Sequence, residues 1–317
     1  MDFQNQNKDF YNNYSNYLHN IFHERVQKIT INAGFTCPNR DGTKGLGGCT
    51  YCNNESFSPS FSMKNDSITI QIENGIKFFA HKYTNQKYLA YFQSYSNTYG
   101  PLDKIKAIYE EALQNENIVG LVIGTRPDCI SNELLAYLSD LSKRYYIMVE
   151  YGVESTSNTT LERINRGHTY EDAVNAIVTT ANLGIQTSAH LILGLPGEDR
   201  ELMLEHARRI SELPITTLKL HQLQIVRHTL MAKQYEQNPT DFKLFGVDEY
   251  IDLLADFIAE TSPNIVLERF VSQTPADLLI APQWGLKNFE FAAKLEKKLR
   301  QSNIHQGDRW HKKSVFQ

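Results

Sequence analysis

Three of the four cysteines in the chain fall in one stretch, CPNRDGTKGLGGCTYC, which runs from Cys37 to Cys52. Three thiols fit neither a disulfide, which uses two, nor a catalytic thiol, which needs one. A structural zinc site is closed by four ligands. The spacing is C-x11-C-x2-C, and Gly42, Gly45, Gly47 and Gly48 let the intervening backbone fold back so that Cys37 can join the Cys49/Cys52 pair. No histidine lies between residues 24 and 80, and Cys129 is far along the chain. Three readings stay open at this point: zinc on three thiolates with a distant fourth ligand, buried cysteines with no joint role, and an iron–sulfur cluster. A cluster held by three thiolates leaves one iron without a protein ligand. That iron is useful only if a small molecule binds it, and S-adenosylmethionine, with an amino group beside a carboxylate, can chelate it.

Such a loop needs a rigid scaffold, and the remainder of the chain supplies one. Apolar, β-branched runs occur at VQKITINAG (26–34), YLAYFQSY (88–95), IVGLVIGT (118–125), YYIMVEYGVE (145–154), IQTSAHLILGL (185–195) and ITTLKLHQLQIV (215–226). Helical spacing fills the gaps: Leu134, Leu138 and Leu141 form one apolar stripe, and Val174, Ile177, Val178 and Ala181 another. Pro101 is placed as the first residue of a helix, Thr169 with Asp172 as a capping pair, and Gly184 just past a helix end. Strands alternating with helices imply parallel βαβ units, hence a doubly wound sheet or a barrel. In both, the loops leaving the C-terminal strand ends build the active site, and Cys37 follows the first strand almost at once. Beyond residue 226 the pattern becomes a long helix near 246–261, a short strand-like NIVLERFV and a final helix near 285–302.

Composition narrows the class. The chain has 317 residues, 41% hydrophobic and 21% charged, and no run approaching the ~18 apolar residues of a membrane span. The N-terminus, MDFQNQNKDFYNNYSNY, lacks the basic start and apolar run of a signal peptide. Four cysteines so unevenly placed do not make a secreted disulfide framework, so a cytoplasmic location is expected. The net charge of −4 argues against wholesale nucleic-acid binding, although Lys287, Lys294, Lys297, Lys298, Arg300, Arg309, Lys312 and Lys313 crowd the C-terminal region. That basic region is read as a solvated face and tail, or as a local phosphate contact.

With these residues in view, the sequence resembles the radical SAM superfamily. Tyr51, just before Cys52, matches the aromatic of that superfamily's cluster motif, whose usual spacing is C-x3-C-x2-C. The eleven-residue first gap departs from it and resembles the bacterial YhcC/YtqA-type family, related to the Elongator catalytic subunit. The resemblance implies an α/β fold, a partial (β/α)6 TIM-like barrel with a C-terminal helical extension. The expected division is an N-terminal segment 1–25, a core 26–226 and an extension 227–317. It implies Cys37, Cys49 and Cys52 as ligands of a [4Fe-4S] cluster, with S-adenosylmethionine cleaved there to methionine and a 5′-deoxyadenosyl radical that takes hydrogen from the substrate.

The same resemblance implies further cofactor contacts. Gln93, Ser94 and Asn97 would meet the amino group, although the superfamily's Gly-Gly-Glu is absent. Tyr51 joins this set, Arg163 would meet the carboxylate, and Leu191, Leu193 and Gly194 the adenine. Glu150 sits in a strongly apolar strand, where an unpaired buried carboxylate is costly, so it must meet donors: a structural salt bridge or, as the resemblance implies, the ribose hydroxyls. Arg126 and Asp128 either pair with each other or touch substrate, and Cys129 is read as a packed thiol in preference to a radical relay or substrate handle. Lys219 and His221 share a face by period two and point either into the barrel or into solvent or core. The electron donor would be a reductase, flavodoxin or ferredoxin. The implied substrate is tRNA, at the C5 substituent of the wobble uridine, shortened from carboxymethylaminomethyl to aminomethyl; acetyl transfer is not expected. Alternatives are a small-molecule or protein substrate, or a non-catalytic Fe-S or zinc protein that binds RNA or a partner.

Overall fold

The structure is a computed structural model and describes residues 9–57, 62, 65–81, 83 and 85–311. Lys312 and Lys313 of the basic tail, and residues 1–8, lie outside the described residues. Among the described residues the first element is α1 (Tyr14–Phe22). Alternation then sets in: β1 (Val26–Ile31), α2 (Ile68–Ala80), β2 (Lys87–Phe92), α3 (Leu102–Leu113), β3 (Ile118–Thr125), α4 (Asn132–Ser142) and β4 (Tyr146–Glu154). It continues with α5 (Asn158–Arg163), α6 (Tyr170–Asn182), β5 (Gln186–Leu193), α7 (Arg200–Ser211), β6 (Thr217–Gln222) and β7 (Ile225–Val226). The C-terminal part contributes α8 (Leu230–Gln237), α9 (Val247–Glu260), β8 (Val266–Arg269), β9 (Leu279–Ala281) and α10 (Asn288–Ser302).

Seven strands form one parallel sheet in the order β1-β2-β3-β4-β5-β6-β8. The six expected strands are joined by a seventh, β8, from the segment beyond residue 226. The run expected as one strand over 215–226 divides: β6 stays in the sheet, while β7 leaves it to pair antiparallel with β9. β1 and β8 end the sheet and do not pair. Their side chains meet instead, Lys28 on β1 lying 2.8 Å from Glu268 on β8. The result is an open barrel whose seam is bridged by an ion pair.

Period two sorts each strand into an outward and an inward row. Outward residues such as Leu121, Ile123, Tyr151, Val153, Leu191 and Leu193 pack with the surrounding helices in the main core. The inward rows stack in layers. At the bottom Leu89, Tyr91, Val122, Tyr146 and Met148 close on Leu18 of α1, so the N-terminal helix plugs the barrel. Above them lies a charged layer, and above that the strand ends open into a cavity.

Local signals explain most boundaries. Ser67, Ser131, Ser157, Asp199 and Thr229 cap their helices, and Thr169 with Asp172 forms the expected capping box. Gly184 follows α6 with φ +75°, which suits its lack of a side chain. Pro101 differs by one position: it is the cap itself, with ψ 132°, and α3 starts at Leu102. Gly75 in α2 is set by packing, because a Cβ there would lie 2.5 Å from Ile29 Cγ2 of β1. Gly75→Ala is expected to lower stability by about 1–2 kcal/mol, since overpacking outweighs the helix propensity gained. Urea denaturation checks this, and an unchanged midpoint would contradict the close α2–β1 approach.

Candidate active site at the barrel mouth

The loop after β1 carries Cys37, Cys49 and Cys52 to the C-terminal mouth of the barrel, where all three line one cavity of about 250 Å³. The loop is fixed by hydrogen bonds to the turn after α5. Thr50 N donates to Ile164 O at 3.0 Å, Asn165 Nδ2 to Gly48 O at 2.9 Å, and Asn39 Nδ2 to Asn165 O at 2.6 Å. From the other side Met231 N of α8 donates to Thr50 O at 2.8 Å. All four cysteines are free thiols. Burial, then the neighbouring Cys49, push the Cys52 thiol up to about 11 against the pull of Arg40. A cationic metal centre is what converts such thiols into thiolates.

Cations surround the sulfurs. Arg166 is buried, with Nη2 on Gly152 O at 2.5 Å and Nη1 3.5 Å from Cys49 Sγ. Its Nε is buried with no hydrogen-bond partner among the described residues, and the side chain lines the cavity. Arg126 donates from Nη1 to Arg166 O at 2.7 Å and pairs with Asp128 at 2.9 and 3.0 Å. Burial works against the Asp128 carboxylate, but Arg126 and Lys44 outweigh it and hold the group at about 2. Asp128 is thus committed to Arg126 and Lys44, whereas Arg126 also reaches the cavity wall.

The cavity floor is the charged layer. Glu150 of β4 accepts from Lys28 at 2.6 Å, from Lys219 at 3.0 Å and from His190 Nε2 at 2.9 Å. Glu268 closes the set on Lys28 at 2.8 Å and Lys219 at 3.1 Å. Burial opposes the Glu150 carboxylate, yet Lys219, Lys28 and His190 together keep it well below the usual range. For Lys219 burial prevails and lowers it, in spite of Glu150 and Glu268. The expectation that Glu150 must meet donors is met by side chains of the chain itself, from β1, β5 and β6, and the residue also faces the cavity. His221 lines the same wall beside His190, their rings 5.6 Å apart, and bonds Ser272. Burial, with His190, Arg269 and Lys219 nearby, depresses its protonation strongly. Lys219 and His221 therefore both point inward.

Not every expected contact reaches the cavity. Tyr51 and Gln93 line it. Ser94 is buried outside the lining. Asn97 bonds Phe92 O at 3.0 Å and Gly124 O at 2.8 Å, tying the ends of β2 and β3 together. Ser96, between them, faces the cavity instead. Arg163 ends α5 beside Gly197, away from the cavity, whereas Arg166, three residues on, lines it. On β5 the row is inverted: Leu191 and Leu193 face the helices, whereas His190 and Ile192 face the cavity. Gly194 lies against Phe245 with φ +92° and turns the chain out of β5. Cys129 is buried outside the lining, its thiol pushed by burial to about 12, as a packed thiol should be. Arg40, Arg166, His190 and Arg269 went unremarked in the sequence, although Arg40, His190 and Arg269 stand inside stretches quoted for other reasons.

A cluster fits these residues. Three thiols, and not four, share one wall; two of them accept N–H bonds from guanidinium groups; and the cavity is rich in cations that suit an anionic thiolate-bound centre. Among the described residues no three His, Cys, Asp or Glu side chains are gathered around a single metal ion. The comparisons agree with this chemistry. Residues 32–210 match the model of the radical SAM superfamily and residues 215–301 that of the Radical_SAM C-terminal domain. The chain belongs to the radical SAM superfamily and is an enzyme of that class, with a [4Fe-4S] cluster and S-adenosylmethionine as cofactors.

Within it the chain is 32% identical over 297 residues to the uncharacterized protein YtqA of Bacillus subtilis, covering 94% of this chain and 92% of that one. It is 28% identical over 158 residues to a tRNA uridine(34) acetyltransferase of Methanocaldococcus jannaschii, covering 49% of this chain and 28% of that protein. The solved archaeal Elp3 of Methanocaldococcus infernus shares the fold, with TM-score 0.68 and 18% identity over 90% of this chain, which spans 64% of that one. Among the described residues no helix is long and apolar enough to cross a membrane.

Proposed function

We propose that this enzyme modifies tRNA at the C5 substituent of the wobble uridine, shortening a carboxymethylaminomethyl group to aminomethyl. The observation that carries the reading is a pair of adjoining cavities of opposite character. The first, at the cysteines, is lined by Arg40, Arg126, Arg166, Arg269 and Lys219, which outnumber its carboxylates, Glu150 and Glu154. Guanidinium groups recognise carboxylates in a bidentate manner, so a substituent ending in a carboxylate suits this compartment. The second cavity, of about 670 Å³, shares Ser56, Gln222, Gln224, Ser272, Gln273 and Thr274 with the first. Among the described residues its lining has no ionisable side chain, and it adds Trp284, stacked 8° from parallel on Phe291. Amides and an aromatic wall suit a neutral, planar, hydrogen-bonding ring such as a splayed base.

The similarity to a tRNA uridine(34) acetyltransferase supports a uridine substrate. The bound cofactors supply a radical able to take hydrogen from a strong C–H bond. The chain's own part is to hold the reacting end among cations, seat the ring in the neutral compartment, and keep water out between α1 below and the cysteine loop above. Nucleoside mass spectrometry of tRNA from a deletion strain tests this, with carboxymethylaminomethyluridine expected to accumulate and aminomethyl products to fall. Unchanged wobble uridines would remove the tRNA substrate and leave the enzyme class intact.

The basic C-terminal residues support RNA contact only in part. Lys298 pairs with Asp252 at 2.6 Å and Arg309 with Asp256 at 2.6 Å, so α9 neutralises some of that charge, while Lys294 and Lys297 stay exposed.

A further inference from the structure

The first gap of the cysteine motif has eleven residues where three are usual, and the structure shows what the extra residues do. Asn39 Nδ2 reaches to 3.7 Å from Cys49 Sγ, and Arg40 Nη1 to 3.5 Å from both Cys52 Sγ and Cys52 O. Both come from inside the gap. They lie against the glycines that follow: a Cβ on Gly48 would stand 2.9 Å from Arg40 Cγ, and one on Gly45 would collide with Asn39 Oδ1. Gly48 also has φ +85°, a conformation that other residues resist. The glycines therefore make room for two side chains that fold back onto sulfur. Arg166 adds a third donor, 3.5 Å from Cys49 Sγ, and Asn54 a fourth, 3.7 Å from Cys52 Sγ.

We propose that the long gap carries Asn39 and Arg40 onto the cluster's sulfurs so that, together with Arg166, they raise its reduction potential. The physical reason is charge. One-electron reduction adds a negative charge to the centre, and N–H groups and guanidinium cations on its sulfurs stabilise the reduced form more than the oxidised one. The consequence is a cluster that a milder one-electron donor, of the flavodoxin or ferredoxin class, can reduce. The inference rests on the cluster assignment but not on the substrate.

The test uses full-length protein reconstituted anaerobically with iron and sulfide, with the midpoint potential followed by EPR during a mediated dithionite titration. Arg40→Gln and Arg166→Gln are each expected to keep their iron content. Each should disfavour reduction about tenfold, ~59 mV more negative for a one-electron couple. Arg40→Lys should recover most of the shift. Gly48→Ala, which leaves Arg40 in the chain but crowds it, should shift the potential in the same direction as Arg40→Gln. Wild-type potentials in fully loaded Arg40→Gln and Arg166→Gln overturn the proposal. So does loss of the cluster from Arg40→Gln while the apo chain melts like wild type, because Arg40 would then serve assembly. Arg40 is only partly buried, so it carries the test even where Arg166→Gln does not fold. A wild-type chain that takes up no cluster would instead sink the cofactor reading itself, which separates the two failures.

Discussion

Alanine at any one of Cys37, Cys49 and Cys52 is expected to abolish the formation of 5′-deoxyadenosine from S-adenosylmethionine, to below about a thousandth of the wild-type rate. We propose these three cysteines as the ligands of the cluster, and on that assignment the open iron is needed for the cofactor, so none of the three is spare. The fourth cysteine offers no substitute: Cys129 is packed outside the cavity, and burial keeps it a thiol. Loss of a ligand should not unfold the loop, since its anchors run through Asn39, Gly48, Thr50 and Met231 backbone or amide groups rather than through sulfur. Each variant should therefore melt close to wild type as apo protein while losing iron and the brown colour. The assay is anaerobic, with dithionite as reductant, and reads 5′-deoxyadenosine by chromatography beside iron per chain. Wild-type turnover in any single variant would contradict the ligand set, and a colourless protein holding zinc would contradict the cofactor.

How far the sequence alone reaches depends on which force decides each feature. The alternation of strands and helices was legible because apolar spacing and caps act locally, and the cysteine loop because its spacing is specific. The facing of β5 was not. The LILGL end of β5 is apolar on both rows, and the inner row is marked only upstream, where Gln186, Ser188 and His190 alternate with Thr187 and Ala189. That Arg166 and not Arg163 lines the cavity was not legible, because a turn that includes Asn165 at φ +52° separates them, and tertiary contacts decide where that turn aims its side chains. The short β8 was visible as a strand, but nothing local says that VLER pairs with β6 and brings Glu268 to Lys28 across the seam. For Glu150 the cost of an unpaired buried carboxylate announced that partners must exist. Their identities, on strands up to 122 residues away for Lys28 and 69 for Lys219, are a property of the closed barrel.

That last residue carries the second large effect: Glu150→Ala is expected to lower stability by about 3–5 kcal/mol. In the buried layer two lysines, Lys28 and Lys219, are balanced by two carboxylates, Glu150 and Glu268. Removing Glu150 leaves two buried ammonium groups facing one carboxylate, and strips His190 of its acceptor. The penalty comes from the stranded charge, not from the worth of the bond. A double variant, Glu150→Leu with Lys219→Met, leaves the Lys28–Glu268 pair neutral and should recover most of the loss. Urea denaturation of the three proteins distinguishes this from a role in catalysis alone, in which Glu150→Ala would lose activity at wild-type stability. The pH dependence has a definite sign. The Glu150 carboxyl is depressed in the folded state, so its contribution is present above the unfolded value of about 4.3 and is lost as pH falls through the folded one. The stability gap between wild type and Glu150→Ala should thus be full near neutrality and narrow below about pH 4. A gap that widened with acid would show that the layer is held together by something other than this charge balance.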